Sequence, residues 1–259
     1  MPEILEVEKY RRAADTVVGR TVDHVHAPDD WYTKGETSPD LLRSLLPGAL
    51  ITGTRRIGKL MLVDTDGPVL GLRFGMTGRI IVDGHAPIEE LMYGSHHDDP
   101  AWDRFGIGFR GGGALVIRDP RRLGGVEVDP DETRLGPDAA SLTLGRLRGA
   151  LASSSAPLKG RLLDQSRIAG LGNLLVDETL WRARLAPERP AGSLDDRELG
   201  QLLRAVRRTL AVLEERGGSH TGDLQPARIR GGSCPRDGAE LCRGQVGGRT
   251  TYWCPVHQR

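Results

Sequence analysis

The start of the chain, Met1-Pro2-Glu3, holds the residue types and order that amine chemistry needs. Once the initiator methionine is removed, Pro2 carries a free secondary amine. An unblocked α-amine titrates near about 8, so part of it is unprotonated and nucleophilic at neutral pH. A secondary amine can condense with an aldehyde or displace at an anomeric carbon, giving an iminium that serves as an electron sink. Glu3, next in sequence, could handle the protons. Proline at position 2 is common in itself, so its meaning depends on whether later segments fit the same chemistry.

A second chemical cluster closes the chain. Cys234, Cys242 and Cys254 all lie in the last 26 residues. An odd, crowded set with no secretion signal argues for a metal site rather than disulfides. The tail reads Cys234-Pro-Arg-Asp237-Gly238, then Val246-Gly247-Gly248-Arg249, then Cys254-Pro-Val-His257. Two knuckles flanking a Gly-Gly turn between strands outline a zinc β-hairpin. Cys254 and His257 make a good half-site. The other half is open: Asp237 stands where a knuckle ligand belongs, whereas Cys242 is the softer ligand but lies eight residues from Cys234. Asp237 is taken first, with Cys242 as its alternative. Arg249, beside the turn, is placed to reach a phosphate.

Further candidates lie between these ends. Gly170 and Gly172 in the segment Gln165–Glu178 permit a tight turn before a helix, whose free backbone N–H groups could hold a phosphate, with Asn173 adding a neutral donor. Phe74-Gly75-Met76-Thr77-Gly78 and Asp119-Pro-Arg121-Arg122-Leu123-Gly124 each end a strand. Met76, Arg121 and Leu123 on such loops could fill the gap left by an extruded base, although singly Met76 and Leu123 read more readily as core. Lys59 leads into an apolar strand, as an edge charge or a phosphate clamp.

The elements that must position these groups follow from periodicity. Ile4, Val7, Tyr10, Ala14 and Val18 recur at helical spacing, predicting a helix over Glu3–Val18. From Gly19 to Val128 short apolar runs (61–63, 69–72, 80–82, 114–117) alternate with Gly, Asp and Pro turns, which reads as a β-rich sandwich or barrel. The polar stretch His85–Asp103 reads as an irregular loop and 129–138 as a linker. Helical period returns over 142–151, 159–163, 172–184 and 194–215. Residues 217–232 read as loop and 233–259 as the metal hairpin. The fold class is therefore α+β, with domains at 1–130, 138–216 and 217–259.

A chain of 259 residues can hold two modest cores. The net charge of +1 conceals a division: from Ser141 onward there are 19 Lys/Arg against 12 Asp/Glu, leaving −6 for the first 140 residues. Almost all the later cations are arginine, whose planar fork suits phosphate. A compositional taste for arginine explains part of this. The acidic, polar start reads as no signal peptide, and no apolar run approaches a membrane span, so a cytoplasmic protein is expected.

Together these segments resemble the formamidopyrimidine-DNA glycosylase and endonuclease VIII family of bifunctional DNA repair enzymes, and the resemblance runs from end to end. It rests on Pro2-Glu3 with Glu6-Val7-Glu8, Gly58-Lys59, Gly75-Met76-Thr77-Gly78, Asp119–Gly124, Leu162–Glu178 and Gly247-Gly-Arg249. The resemblance implies an N-terminal β-sandwich with flanking helices, a helix–two-turn–helix domain and a zinc β-hairpin. It implies duplex DNA with damaged bases or abasic sites as the partner, bound between lobes by a monomer at the nucleoid. Pro2 would be the nucleophile, Glu3 its acid/base partner, and Lys59 a catalytic phosphate binder. Met76, Arg121 and Leu123 would occupy the void, Asn173 and Arg249 would grip phosphate, and Glu6 and Glu178 would support the pocket. One structural zinc per chain would sit on Cys234, Asp237 (or Cys242), Cys254 and His257. The Pro2 amine would attack C1′, and β/δ-elimination would follow.

Departures bear on substrate. Leu5 stands where the opening motif usually has proline, and Leu123 replaces a phenylalanine. Asp237 or Cys242, with His257, replaces a four-cysteine set. Only 14 residues, His220 through Ser233, precede Cys234, where the 8-oxoguanine branch has a longer loop. The shortening favours the endonuclease VIII branch and oxidised pyrimidines. The rivals are a non-catalytic damage-binding protein on this scaffold, a purine-preferring glycosylase, and an RNA-binding protein.

Overall fold

The computed structural model describes residues 2–92, 94, 97 and 99–259. Met1, whose removal the amine chemistry needs, lies outside them, as do Tyr93, Ser95, His96 and Asp98 of the polar stretch read as a loop. The chain divides into two units, Met1–Pro2 with Glu6–Glu132, and Glu3–Leu5 with Thr133–Arg259.

The first unit is built on strands. Helix α1 spans Ile4–Ala14, shorter than the periodicity suggested, because the chain tightens into a 3₁₀ turn at Asp15–Val17 and Gly19 then takes φ +85°. Val7, Tyr10 and Ala14 bury one face completely, as their spacing of three and four requires. Two antiparallel sheets follow. One has the order β1 (Val22–His26), β6 (Asp103–Phe109), β7 (Ala114–Arg118), β5 (Arg79–Val82). The other has β2 (Ile51–Ile57), β3 (Leu60–Thr65), β4 (Leu70–Arg73), β8 (Gly125–Val128). Burial alternates along β5 and β7, with one face to the core. Val22, Phe105, Ile107 and Ile117 of the first sheet share one core with Ile51, Met61, Leu70 and Leu72 of the second, which makes a sandwich. Each such side chain contributes about 1.5–3 kcal/mol by leaving water. A further helix, α2 (Pro39–Leu45), lies inside the stretch read as β-rich.

The second unit is helical with an attached hairpin. Its helices are α3 (Leu144–Leu151), α4 (Leu158–Leu163), α5 (Asn173–Ala183) and α6 (Asp196–Glu215). Helix α6 starts on a capping box, in which Asp195 accepts from the Glu198 N–H and Glu198 from the Asp195 N–H. Leu199, Leu202, Leu203, Val206, Leu210 and Leu213 form its buried stripe. Strands β9 (Cys242–Val246) and β10 (Arg249–Trp253) pair antiparallel with Val246 opposite Arg249. Gly247 and Gly248, at φ +58° and +71°, make the two-residue turn. A Cβ on Gly247 would stand 2.6 Å from the Gly160 Cα of α4, so no other residue fits there. Among the described residues no helix is long and apolar enough to cross a membrane.

Candidate active site and metal cluster

Pro2 is buried, where the amine chemistry asked for an exposed nitrogen. In the encoded chain this nitrogen is a tertiary amide bonded to Met1, and it becomes an amine only when Met1 leaves. Glu3 is fully buried in the second unit and has a role that its sequence position did not disclose. Its carboxylate accepts from the N–H groups of Gly172 (2.7 Å), Leu174 (2.9 Å) and Leu175 (3.2 Å) at the start of α5. The N-cap Gly172 has no side chain to satisfy these donors, and a Cβ there would stand 2.2 Å from the Glu3 Cδ. A carboxylate from 169 residues away thus caps the helix, where the dipole favours negative charge. This overturns the expectation that these N–H groups are free to hold a phosphate: Glu3 already occupies them.

Asn173, the first residue of α5, donates from Nδ2 to the Thr250 carbonyl at 3.2 Å, which ties the helix start to the residue after Arg249. Its Oδ1 is buried with no hydrogen-bond partner. Arg249 itself is exposed at the hairpin turn. Below lies a buried ionic network that sequence inspection missed. Lys159 on α4 is fully buried and donates from Nζ to Asp177 Oδ1 (2.7 Å), Thr251 Oγ1 (2.8 Å) and the Thr250 carbonyl (3.2 Å). Arg228 donates to the other Asp177 oxygen at 2.8 Å. Burial pushes the Lys159 ammonium below its ordinary range. The sole signal in the sequence was a lone lysine among 19 basic residues of the arginine-rich half.

Glu178, next to Asp177 on α5, is also buried. It accepts from Arg182 Nε at 2.7 Å and from the N–H groups of Asp223 (3.1 Å) and Leu224 (2.9 Å). It therefore anchors the short connection between α6 and the hairpin. In the first unit Glu6 is buried on α1 one turn before Tyr10. Burial, with the Glu6 charge next, raises the Tyr10 phenol far above its ordinary range. Lys59 is half-buried at the tip of the β2–β3 hairpin, where Gly58 takes φ +58° and Ile57 pairs with Leu60.

The two loops read as void-filling are locked together. Asp119 is fully buried, and its carboxylate accepts from Thr77 Oγ1 (2.6 Å), the Arg121 N–H (3.2 Å) and the Gly124 N–H (2.9 Å). Gly75, at φ +56°, lies so near that a Cβ would meet the Leu123 carbonyl carbon at 2.4 Å. The clamp leaves Met76 half-buried, Arg121 exposed and Leu123 50% exposed. Neither Met76 nor Leu123 is a core residue, and the turn leaves Leu123 facing solvent on a fixed backbone.

The sulfurs, nitrogen and oxygens of Cys234, Asp237, Cys254 and His257 all lie within 4.8 Å of one another. Cys254 Sγ is 3.3 and 3.4 Å from the Asp237 oxygens, and Cys234 Sγ is 3.8 Å from His257 Nδ1. Tetrahedral zinc with S, N and O ligands has edges of about 3.5 Å, so the donor set fits. His257 Nδ1 faces Asp237 Oδ2 at 2.6 Å, and this contact holds the Asp237 carboxyl well below the usual carboxylate range. N–H groups of Trp181 and Arg236 point at Cys234 Sγ, both at 3.4 Å, as they would to a thiolate. Cys242 stands on β9, outside the cluster. We expect Asp237→Ala and Cys254→Ala to lose bound zinc and Cys242→Ser to keep one per chain, measured by metal analysis of the purified variants. Chelation should lower the melting temperature of the second unit, because metal binding is coupled to the fold of such a hairpin.

Comparison with known proteins covers the whole chain. Residues 1–126 match the family described as formamidopyrimidine-DNA glycosylase N-terminal domain, and residues 135–223 its H2TH domain. The formamidopyrimidine-DNA glycosylase of Thermus thermophilus is 36% identical, over 100% of this chain and 98% of its own. That of Cereibacter sphaeroides is 33% identical over 100% of both. Among solved structures, a complex of the Lactococcus lactis Fpg with DNA containing an abasic site aligns over 100% of both chains, at 26% identity and TM-score 0.82. A complex of the same protein with DNA containing an oxidised pyrimidine aligns equally, at 26% and 0.82.

Proposed function

The chain belongs to the formamidopyrimidine-DNA glycosylase family, and from that premise we propose that it is a bifunctional DNA glycosylase and abasic-site lyase of base excision repair. Full-length alignment with named glycosylases, with the Pro2-Glu3 start intact, carries this reading. We assign residues 1–130 to a catalytic domain, 138–216 to a DNA-holding domain and 217–259 to a zinc-bearing hairpin. The protein works as a monomer on duplex DNA in the bacterial cytoplasm.

Met1 is removed and the Pro2 nitrogen becomes a secondary amine. Its lone pair attacks C1′ of an extruded nucleotide while the C1′–N bond to the damaged base breaks, and the base leaves with that electron pair and a proton. Loss of the ring oxygen from C1′ opens the sugar and leaves an iminium on Pro2. The iminium draws electrons from the C2′–H bond, so a proton is lost and the 3′ phosphate departs by β-elimination. A second elimination releases the 5′ phosphate, and water frees the enzyme. Glu3 moves protons at the sugar, and its place is fixed by the start of α5. Lys59 and Arg249 bind the flanking phosphates together with Asn173. Met76, Arg121 and Leu123 fill the space the nucleotide vacates, held by the Asp119 clamp. Glu6 and Glu178 support the pocket from their buried positions. Zinc on Cys234, Asp237, Cys254 and His257 would supply cross-linking of the hairpin, with no open coordination position for chemistry.

The short connection from His220 to Ser233 favours oxidised pyrimidines and abasic sites, as in the endonuclease VIII branch, because little chain is available to cover a flipped purine. The names of the relatives favour the purine-preferring reading. A cleavage panel on duplexes with thymine glycol, dihydrouracil, 8-oxoguanine or an abasic site separates the two. We expect abasic DNA to be cut to phosphate on both ends, and pyrimidine lesions to be excised at least about tenfold faster than 8-oxoguanine. Faster excision of 8-oxoguanine would establish the purine reading, and binding without cleavage of abasic DNA would reduce the protein to a damage binder.

A further inference from the structure

The second unit carries a cavity of about 590 Å³ lined by Trp181, Arg182, Gln201, Arg204, Ala205, Arg208, Asp223 and Arg236. None of these residues has a part in the proposed reaction. The cavity draws its walls from four places: the end of α5, one face of α6, the connection after α6 at Asp223, and the first metal knuckle. On α6, Gln201, Arg204, Ala205 and Arg208 recur at spacings of three and four, so they share a face. Four guanidiniums meet one lining carboxylate.

That carboxylate is already engaged. Asp223 takes a 2.7 Å bond from Arg182 and a 2.6 Å bond from Arg216. Arg182 is itself fixed by Glu178 at 2.7 Å. Among the described residues neither Arg204 nor Arg208 forms an ion pair, although they are like charges one helical turn apart, an arrangement that is destabilising by itself. Arg236 has no carboxylate ion pair either. It stacks 4.6 Å above the Trp181 ring. The wall therefore holds more positive than negative charge, and among the described residues no carboxylate forms an ion pair with Arg204, Arg208 or Arg236.

We propose that this cavity binds an oligophosphate, an inorganic chain or the phosphate tail of a nucleotide. Planar forks from several directions suit tetrahedral phosphate oxygens. The volume lies in the range of small-molecule sites, about 300–1,000 Å³. It is far too small for a duplex, so the ligand is a compact polyanion. Trp181, the one aromatic residue in the lining, is only 6% exposed and has Arg236 over its ring, which leaves no platform for a nucleobase. Recognition is of the phosphate chain alone. The candidate DNA contacts Asn173 and Arg249 are not among the lining residues.

The test is calorimetric titration of the full-length, zinc-replete protein with sodium triphosphate, ATP and monophosphate at low ionic strength. Triphosphate should bind one per chain, with ATP comparable and monophosphate at least about tenfold weaker. Arg204→Ala/Arg208→Ala should weaken triphosphate by about tenfold or more, equivalent to about 1.4 kcal/mol, and Arg204→Lys/Arg208→Lys by less. Both side chains are exposed, so the variants keep their fold, which thermal melting verifies, and their cleavage of abasic DNA is unchanged without triphosphate. Absence of triphosphate binding by the wild type, or equal affinity in the alanine variant, would overturn the proposal. Marked preference for ATP over triphosphate would also overturn it, since it would require a base contact.

Discussion

Glu3→Gln should lower the single-turnover rate of base excision by about 10²–10⁴-fold, the contribution of a positioned acid/base group. The same change should destabilise the second unit by about 1–3 kcal/mol, because an amide cannot accept from three helix N–H groups with both of its ends. Gly172, Leu174 and Leu175 present donors to both carboxylate oxygens, and the glutamine NH₂ group must face at least one of them. Rate and melting curve, taken together, separate the two roles. If Glu3 only caps α5, activity per folded molecule at low temperature will match the wild type. If it also moves protons, the folded variant will remain slow and its pH–rate profile will change shape.

Lys159→Met is expected to cost the second unit about 3–5 kcal/mol, the usual penalty for removing one partner from a buried ion pair. The substitution leaves the buried Asp177 with Arg228 alone and strips Thr251 Oγ1 and the Thr250 carbonyl of a donor. For a unit of this size the midpoint should fall by roughly 10 °C or more. Because the ammonium joins α4 and α5 to β10, the loss should also loosen the turn bearing Arg249 and weaken affinity for abasic duplex. Thr251→Val, which removes one neutral bond, should cost only about 1 kcal/mol. A Lys159→Met protein melting within 1 °C of the wild type would show that the network holds nothing in place.

The sequence disclosed those features whose signals are local. Short apolar runs between turn residues marked β5 and β7, period 3.6 marked α5 and α6, and the knuckle spacing brought out Cys234, Asp237, Cys254 and His257, which the fold does gather. Helix α2 was missed although Ser38-Pro39-Asp40 is a good helix start: Ser38 caps the Leu41 N–H and Pro39 stands in the first turn. Its apolar residues were too few to interrupt the strand pattern around it. What remained hidden was long-range. Glu3 caps a helix 169 residues away, and Lys159 joins an acid 18 residues on to a strand 92 residues on. No spacing rule connects such positions. Leu123 shows the opposite limit: an apolar residue reads as core until the Asp119 clamp fixes the backbone that holds it outward.

Borohydride trapping on an abasic-site duplex addresses the nucleophile itself. The purified protein should lack Met1 and form a covalent adduct with DNA, and mass analysis of the digest should place the added mass on the peptide beginning at Pro2. A protein with residues retained ahead of Pro2, or Pro2→Gly acetylated at its amine, should bind the duplex without trapping. Equal trapping by the blocked protein, or an adduct on a lysine, would mean that the Pro2 nitrogen is not the attacking atom.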